Sequence, residues 1–283
     1  MRPPICIEGL DREVQPRTLF HYRLLLSALV LWTLGFGFAG FNQGVHTFRN
    51  AAIAGVMMLA YVLVLYVAVF RPIDTLRENS RFVVWVYTSP SDYARKALIV
   101  MLLLGALQFW LQRSVGGLEA LITRYGLVFD VAPLQPWRYI SGPLMHSGIT
   151  HWMANVSLLI VAISLVSTLA TRVAAALILA AGTILPALVL TFLPYAIRQD
   201  AFLGISGGVL ALMGWMVGIG WRERAWLPRH FALTIGMFSV LFVILSTLLS
   251  PKANDFVHVA GLLIGVLAGL ARLGWKHGSK AAS

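Results

Sequence analysis

The feature that most restricts this chain is a series of apolar runs, each about as long as a helix that crosses a bilayer. Such a helix needs about 20 mostly apolar residues, and eight runs meet that need: 20–40, 51–70, 96–113, 151–170, 173–193, 206–221, 231–249 and 256–273. Lipid offers no partners to exposed peptide groups, so apolar runs of this length are expected to be helices. Only 12% of the 283 residues are charged, against 59% hydrophobic, and mean hydropathy is +0.80. A water-soluble domain carries roughly a quarter of its residues charged. The fold expected is therefore all-α, a polytopic integral membrane bundle with lipid over most of its surface. Most connections are short; 71–95 and 114–150 are longer.

The formal net charge of +11 would suit a nucleic-acid binder. However, the basic residues lie in short clusters between apolar runs, as membrane flanks do, so no nucleic acid is expected. If the N-terminus is cytoplasmic, only Arg49, Arg113, Arg124, Arg138, Arg198 and Lys252 of the 22 Lys and Arg face outward. That bias sets the expected orientation, and an even number of spans returns the C-terminus to the cytoplasm. Glu8, Asp11 and Glu13 precede the first apolar run, so the N-terminus does not read as a signal peptide. A bacterial inner membrane is the expected location. Cys6 is the sole cysteine, which leaves no disulfide framework and no cysteine metal site.

In this orientation the fourth, sixth and eighth runs all pass from outside inward, so their first turns share one depth. His151 and Asn155 open the fourth run, Ser206 opens the sixth and His258 lies in the first turn of the eighth. Polar groups in a bilayer cost several kcal/mol unless they are paired or face a cavity. Four of them at one depth predict a shared, hydrated pocket.

Ser206 sits in Gly204-Ile205-Ser206-Gly207. A serine hydroxyl attacks well only when a neighbouring base takes its proton. Gly204 and Gly207 let the chain turn sharply into a helix and let a substrate come close, while the unpaired N–H groups of a helix start could hold an oxyanion. Alone, the motif is weak, since in membrane helices it is more often a packing element. His258 adds to it, because His258, Gly261, Gly265 and Gly269 share an arc of about 80°. Gly207, Ala211, Gly214 and Gly218 form a matching small-residue stripe on the sixth run. Two such stripes bring helix backbones close, which would put His258 within reach of Ser206. His151 and Asn155, four residues apart, share a helix face, and both side chains can donate to a developing oxyanion. The spacing of His146 and His151 is not that of a helical metal pair, and no carboxylate or cysteine stands near to complete a site, so no metal is expected. Asp130, Asp200 and Asp255 are read as external, which favours a Ser–His dyad over a triad. No cofactor fingerprint is present.

Taken in order, Trp137-Arg138, His146-x4-His151-x3-Asn155, Gly204-Ile205-Ser206-Gly207 and His258-x2-Gly261-x3-Gly265 resemble the rhomboid intramembrane serine proteases. The resemblance covers about 96–273. It implies a six-helix catalytic core there, preceded by two extra spans within 1–95 and followed by a cytoplasmic tail, 274–283. It further implies Ser206 as nucleophile and His258 as general base, with His151, Asn155 and the Ser206 N–H around the oxyanion and Gly204 beside the substrate. His146 is implied to be structural. Trp137 and Arg138 would anchor the 114–150 loop at the lipid interface, where an amphipathic ring and a snorkelling guanidinium fit. Implied substrates are single-span membrane proteins, unwound near the outer face and cut after a small residue, entering past 231–249. Two departures stand out. Ser164 to Thr171 holds no acid where many members carry a Glu that steadies the loop, and Leu210 stands where some place a tyrosine on the histidine.

Two other classes remain open on sequence alone: a catalytically silent rhomboid-like protein that binds membrane clients, and an unrelated transporter or channel. Silent relatives typically lack the serine or histidine, and transporters usually carry buried acids or repeated halves. Neither pattern is found here.

Overall fold

Apolar length and helical backbone coincide along most of the chain. The computed structural model describes residues 45–88, 92–195, 200–249 and 254–276. The expected first span, 20–40, and Cys6 lie outside the described residues, as does most of the expected tail. The described residues fall into two compact units, one drawn from 1–89 and 220–253, the other from 90–219 and 254–283.

In the first unit, helix α1 (Val45–Leu65) ends in a π-helical turn, Tyr66–Phe70, where the Arg71 N–H donates to the Tyr66 carbonyl at 2.8 Å. Helix α2 (Ile73–Thr88) occupies most of the connection 71–95. Pro72 precedes it and Asp74 lies in its first turn, both suited to a helix start. Its buried side chains, Thr75, Leu76, Ser80, Phe82 and Val86, gather on one side of the helix, a pattern that mean hydropathy does not register. Phe82 meets Phe231 edge-on, with ring centroids 5.3 Å apart. Helix α9 (Phe231–Leu249) matches the seventh predicted run residue for residue and packs on α1. Asn50 donates to the Leu248 carbonyl there at 3.2 Å.

The second unit begins with α3 (Tyr93–Ser114), which packs on α6 (Ile149–Leu169). Leu98, Val100, Leu103, Leu107 and Trp110 are exposed along α3, a surface that water would penalise heavily and lipid would not. The connection 114–150 is ordered: α4 (Leu118–Tyr125), strand β1 (Leu127–Val128), a 3-10 turn (Ala132–Leu134) and α5 (Arg138–Leu144). Helix α7 (Arg172–Thr191) leads to strand β2 (Ala201–Phe202), which pairs antiparallel with β1. Then come α8 (Ser206–Arg222) and α10 (Asp255–Leu270).

Among the described residues, five helices are long and apolar enough to cross a membrane: Arg49–Phe70, Tyr93–Ser114, His151–Leu169, Arg172–Thr191 and Phe231–Leu248. The architecture is thus an all-α polytopic bundle of an integral, multi-pass membrane protein. At 17 and 16 residues, α8 and α10 are shorter; the latter rises about 24 Å against a hydrocarbon core of about 30 Å. The run 256–273 overestimates α10. The helix stops at Leu270 because Arg272 takes a φ of 57° and Gly274 one of 73°. The Arg272 N–H then donates to Gly269 and the Leu273 N–H to Ala268, a Schellman closure that apolar composition does not reveal.

Candidate active site

Ser206 owes its position to a strand, a turn and a helix in immediate succession. Strand β2 is held by β1, and the Phe129 N–H adds a bond to the Asp200 carbonyl at 3.2 Å. Gly204 then turns the chain with a φ of 98°, a conformation side chains other than glycine rarely tolerate. Ile205 accepts the first helical bond, from the Val209 N–H. Ser206 is the first residue of α8, so its own N–H is one of the unpaired donors of a helix start.

His258 is placed by a cap. Asn254 accepts from the Val257 N–H at 3.2 Å through its side chain and from the His258 N–H at 3.3 Å through its carbonyl. The imidazole Nε2 then lies 2.8 Å from Ser206 Oγ. Both residues are buried. The approach depends on glycine: a Cβ on Gly261 would overlap the Gly207 carbonyl, one on Gly265 the Ala211 carbonyl and one on Gly269 the Trp215 carbonyl. The facing stripes read from the sequence therefore meet backbone to backbone.

His151 and Asn155 rise from the first two turns of α6, facing Gly204. A Cβ at Gly204 would lie 2.9 Å from His151 Nε2 and Cε1 and 3.6 Å from Asn155 Nδ2. Asn155 donates one amide hydrogen to the His151 carbonyl at 3.0 Å; its second remains for another acceptor. Ser147 Oγ lies 3.1 Å from His151 Nδ1. Ser147 is exposed and His151 half-buried, whereas Asn155, Ser206 and His258 are enclosed. Among the described residues, no three His, Cys, Asp or Glu side chains cluster closely enough to hold a metal.

His146 stands apart from the hydroxyl. It is 2% exposed, and its ring meets the His151 ring edge-on at 5.2 Å. Burial first, and the neighbouring His151 second, lower its pKa to about 4, partly opposed by the Leu144 carbonyl. Its backbone is gripped by Gln108 of α3, whose amide donates to the His146 carbonyl at 2.6 Å and accepts from the His146 N–H at 2.9 Å. Gln108 was not among the residues that sequence reasoning singled out. The signal available was an amide inside an apolar run, one of two there with Gln112.

The lipid-facing role expected of Arg138 is corrected. The residue is 5% exposed, and its guanidinium donates inward, to the Gly126 carbonyl at 2.6 Å, the Thr123 carbonyl at 3.0 Å and Gln135 Oε1 at 2.7 Å. Three acceptors offset the desolvation that would otherwise drive such a charge to the interface. Trp137 is 45% exposed, with Arg138 stacked 4.8 Å from its ring centre. Tyr139 adds a buried bond to Thr191 Oγ1 at 2.9 Å, tying α5 to α7.

These features define a class: a polytopic helical membrane protein with a buried serine hydrogen-bonded to a histidine at the starts of two closely packed helices. The family model of the Rhomboid domain matches residues 133–275, about half of the chain. The chain belongs to the rhomboid family, which is of the intramembrane-protease type. Comparison with curated proteins finds no match.

Proposed function

We propose that the chain is an intramembrane serine endopeptidase that cuts transmembrane segments of single-span proteins near the outer membrane face. One observation carries this reading: the 2.8 Å contact between Ser206 Oγ and His258 Nε2. In the proposed reaction His258 takes the hydroxyl proton as Ser206 attacks the peptide carbonyl. His151, Asn155 and the Ser206 N–H hold the oxyanion, each such donor being worth about 2.7–4 kcal/mol. The protonated His258 then gives its proton to the leaving amine. Water, activated by the same imidazole, hydrolyses the acyl-enzyme and restores Ser206. A substrate helix hides its carbonyls in its own hydrogen bonds, so a few residues must unwind first.

The reading takes 96–273 as the working core, with 1–95 and 274–283 outside it. It keeps both termini cytoplasmic and the membrane a bacterial inner membrane. His146, Trp137, Arg138, Gly207, Gly261 and Gly265 serve as supports for the site.

The test is fluorophosphonate labelling and cleavage of a transmembrane substrate by the purified protein in detergent. Both are expected in the wild type and lost in Ser206→Ala, and turnover is expected to be lost in His258→Ala. Labelling that persists in Ser206→Ala would reject the nucleophile. A folded wild type that neither labels nor cleaves would instead favour a silent, client-binding relative.

A further inference from the structure

We infer that Ser147, oriented by Gln108, fixes the tautomer of His151 so that its Nε2 carries the proton and presents an N–H donor beside Gly204. This rests on the proposed oxyanion role of His151 and adds two positioning residues to it. One of them, Gln108, lies outside the residues 133–275 matched by the family model.

Helix α6 starts after Gly148, which brings no side chain to cap it. The free N–H groups of a helix start need acceptors, which a side chain at the third helical position often supplies. His151 holds that position, and its ring reaches one residue further back than the cap Gly148, to Ser147. The Ser147 N–H donates to its Nδ1 at 3.4 Å, and Ser147 Oγ lies 3.1 Å from the same nitrogen. A peptide N–H can only donate, so Nδ1 must offer a lone pair. A neutral imidazole with a bare Nδ1 carries its hydrogen on Nε2. Nε2 lies on the ring edge nearest Gly204, two residues from Ser206. The other tautomer would set two N–H groups against each other at Ser147 and turn a lone pair toward a developing oxyanion.

Gln108 controls the same peptide unit from its other side. The His146 carbonyl and the Ser147 N–H belong to one planar group. The 2.6 Å bond from Gln108 Nε2 to that carbonyl therefore sets where the N–H points. The companion bond, from the His146 N–H to Gln108 Oε1 at 2.9 Å, stops the residue from rotating about its own axis. Across 38 residues of sequence, an amide in α3 thus determines which nitrogen of His151 is protonated.

The experiment is 15N NMR of histidine-labelled protein in micelles at neutral pH, with the His151 signals assigned by their loss in His151→Ala. A bare Nδ1 and a protonated Nε2 are expected in the wild type. A protonated Nδ1 there overturns the inference whatever any variant does. Ser147→Ala keeps the peptide N–H and is expected to keep the tautomer. Gln108→Leu removes both bonds; it is expected to mix the tautomers and lower kcat about 10-fold, with KM within about twofold. An unmixed tautomer and a wild-type kcat in Gln108→Leu would remove Gln108 from the scheme. If the wild type shows the expected tautomer but no Ser206-dependent turnover, the tautomer assignment stands and the protease reading fails.

Discussion

Lys276 donates from its ammonium to the Ser167 carbonyl at 2.6 Å, at the end of α6 opposite His151 and Asn155. The Lys276 N–H also donates to Leu169, and the Thr171 N–H to Gly274. The last carbonyls of a helix lack partners, and a cation there is favourable. No acid occupies Ser164 to Thr171, and this strap ties down the helix from its far end.

Replacing Lys276 with Met keeps the stem and removes the charged donor. A loss of about 1–3 kcal/mol is expected for a hydrogen bond from a charged group, seen as a lower Tm in detergent. An unchanged Tm would mean that the backbone bonds alone hold the strap.

Arg138→Met should be more damaging, because it strips donors from the buried Gly126 carbonyl, from the Thr123 carbonyl and from Gln135. A cost of about 1–3 kcal/mol is expected for a buried carbonyl left without its donor. Limited proteolysis should then cut within 114–150 in the variant and spare the wild type.

Gly204→Ala tests the turn before Ser206. An alanine there meets both a positive φ and the His151 ring. A fall in kcat of about 100-fold is expected if His151 is displaced as an oxyanion donor, and the strained backbone should lower Tm as well. A wild-type kcat would show that this edge of the imidazole has no part in the reaction.

His146 predicts a pH dependence. Its pKa in the folded protein, about 4, lies below the unfolded value of about 6.5. Between those limits the unfolded chain binds more protons, so stability rises with pH. The contribution is fully present above about pH 6.5 and is lost as pH falls toward about 4, on the order of 1 kcal/mol per unit. His146→Leu should flatten this part of a Tm–pH curve. An equally steep curve in that variant would assign the effect elsewhere.

Hydropathy located 231–249 to the residue and the other described spans within a few positions, because length and apolarity are what lipid selects. The same measure passed over α2 and α4, whose signal is a half-apolar face, and α5, which buries Arg138, Tyr139, Gly142 and Pro143. Small-residue stripes made the approach of Ser206 to His258 legible, since glycine spacing is a local code for close packing. The grip of Gln108 on His146 was not legible, because it depends on the path of an ordered loop between two helices. Arg138 misled for the same reason: its acceptors are carbonyls, which the sequence does not mark.

The contact of Gly261 and Gly265 with the Gly207 and Ala211 carbonyls has a thermal consequence. With no side chain acting as a cushion, the two backbones touch directly, and the gap between hydroxyl and imidazole is set by that van der Waals contact for as long as the helices stay packed. Heating should therefore leave catalysis intact until the bundle melts, and inactivation and unfolding should share one midpoint.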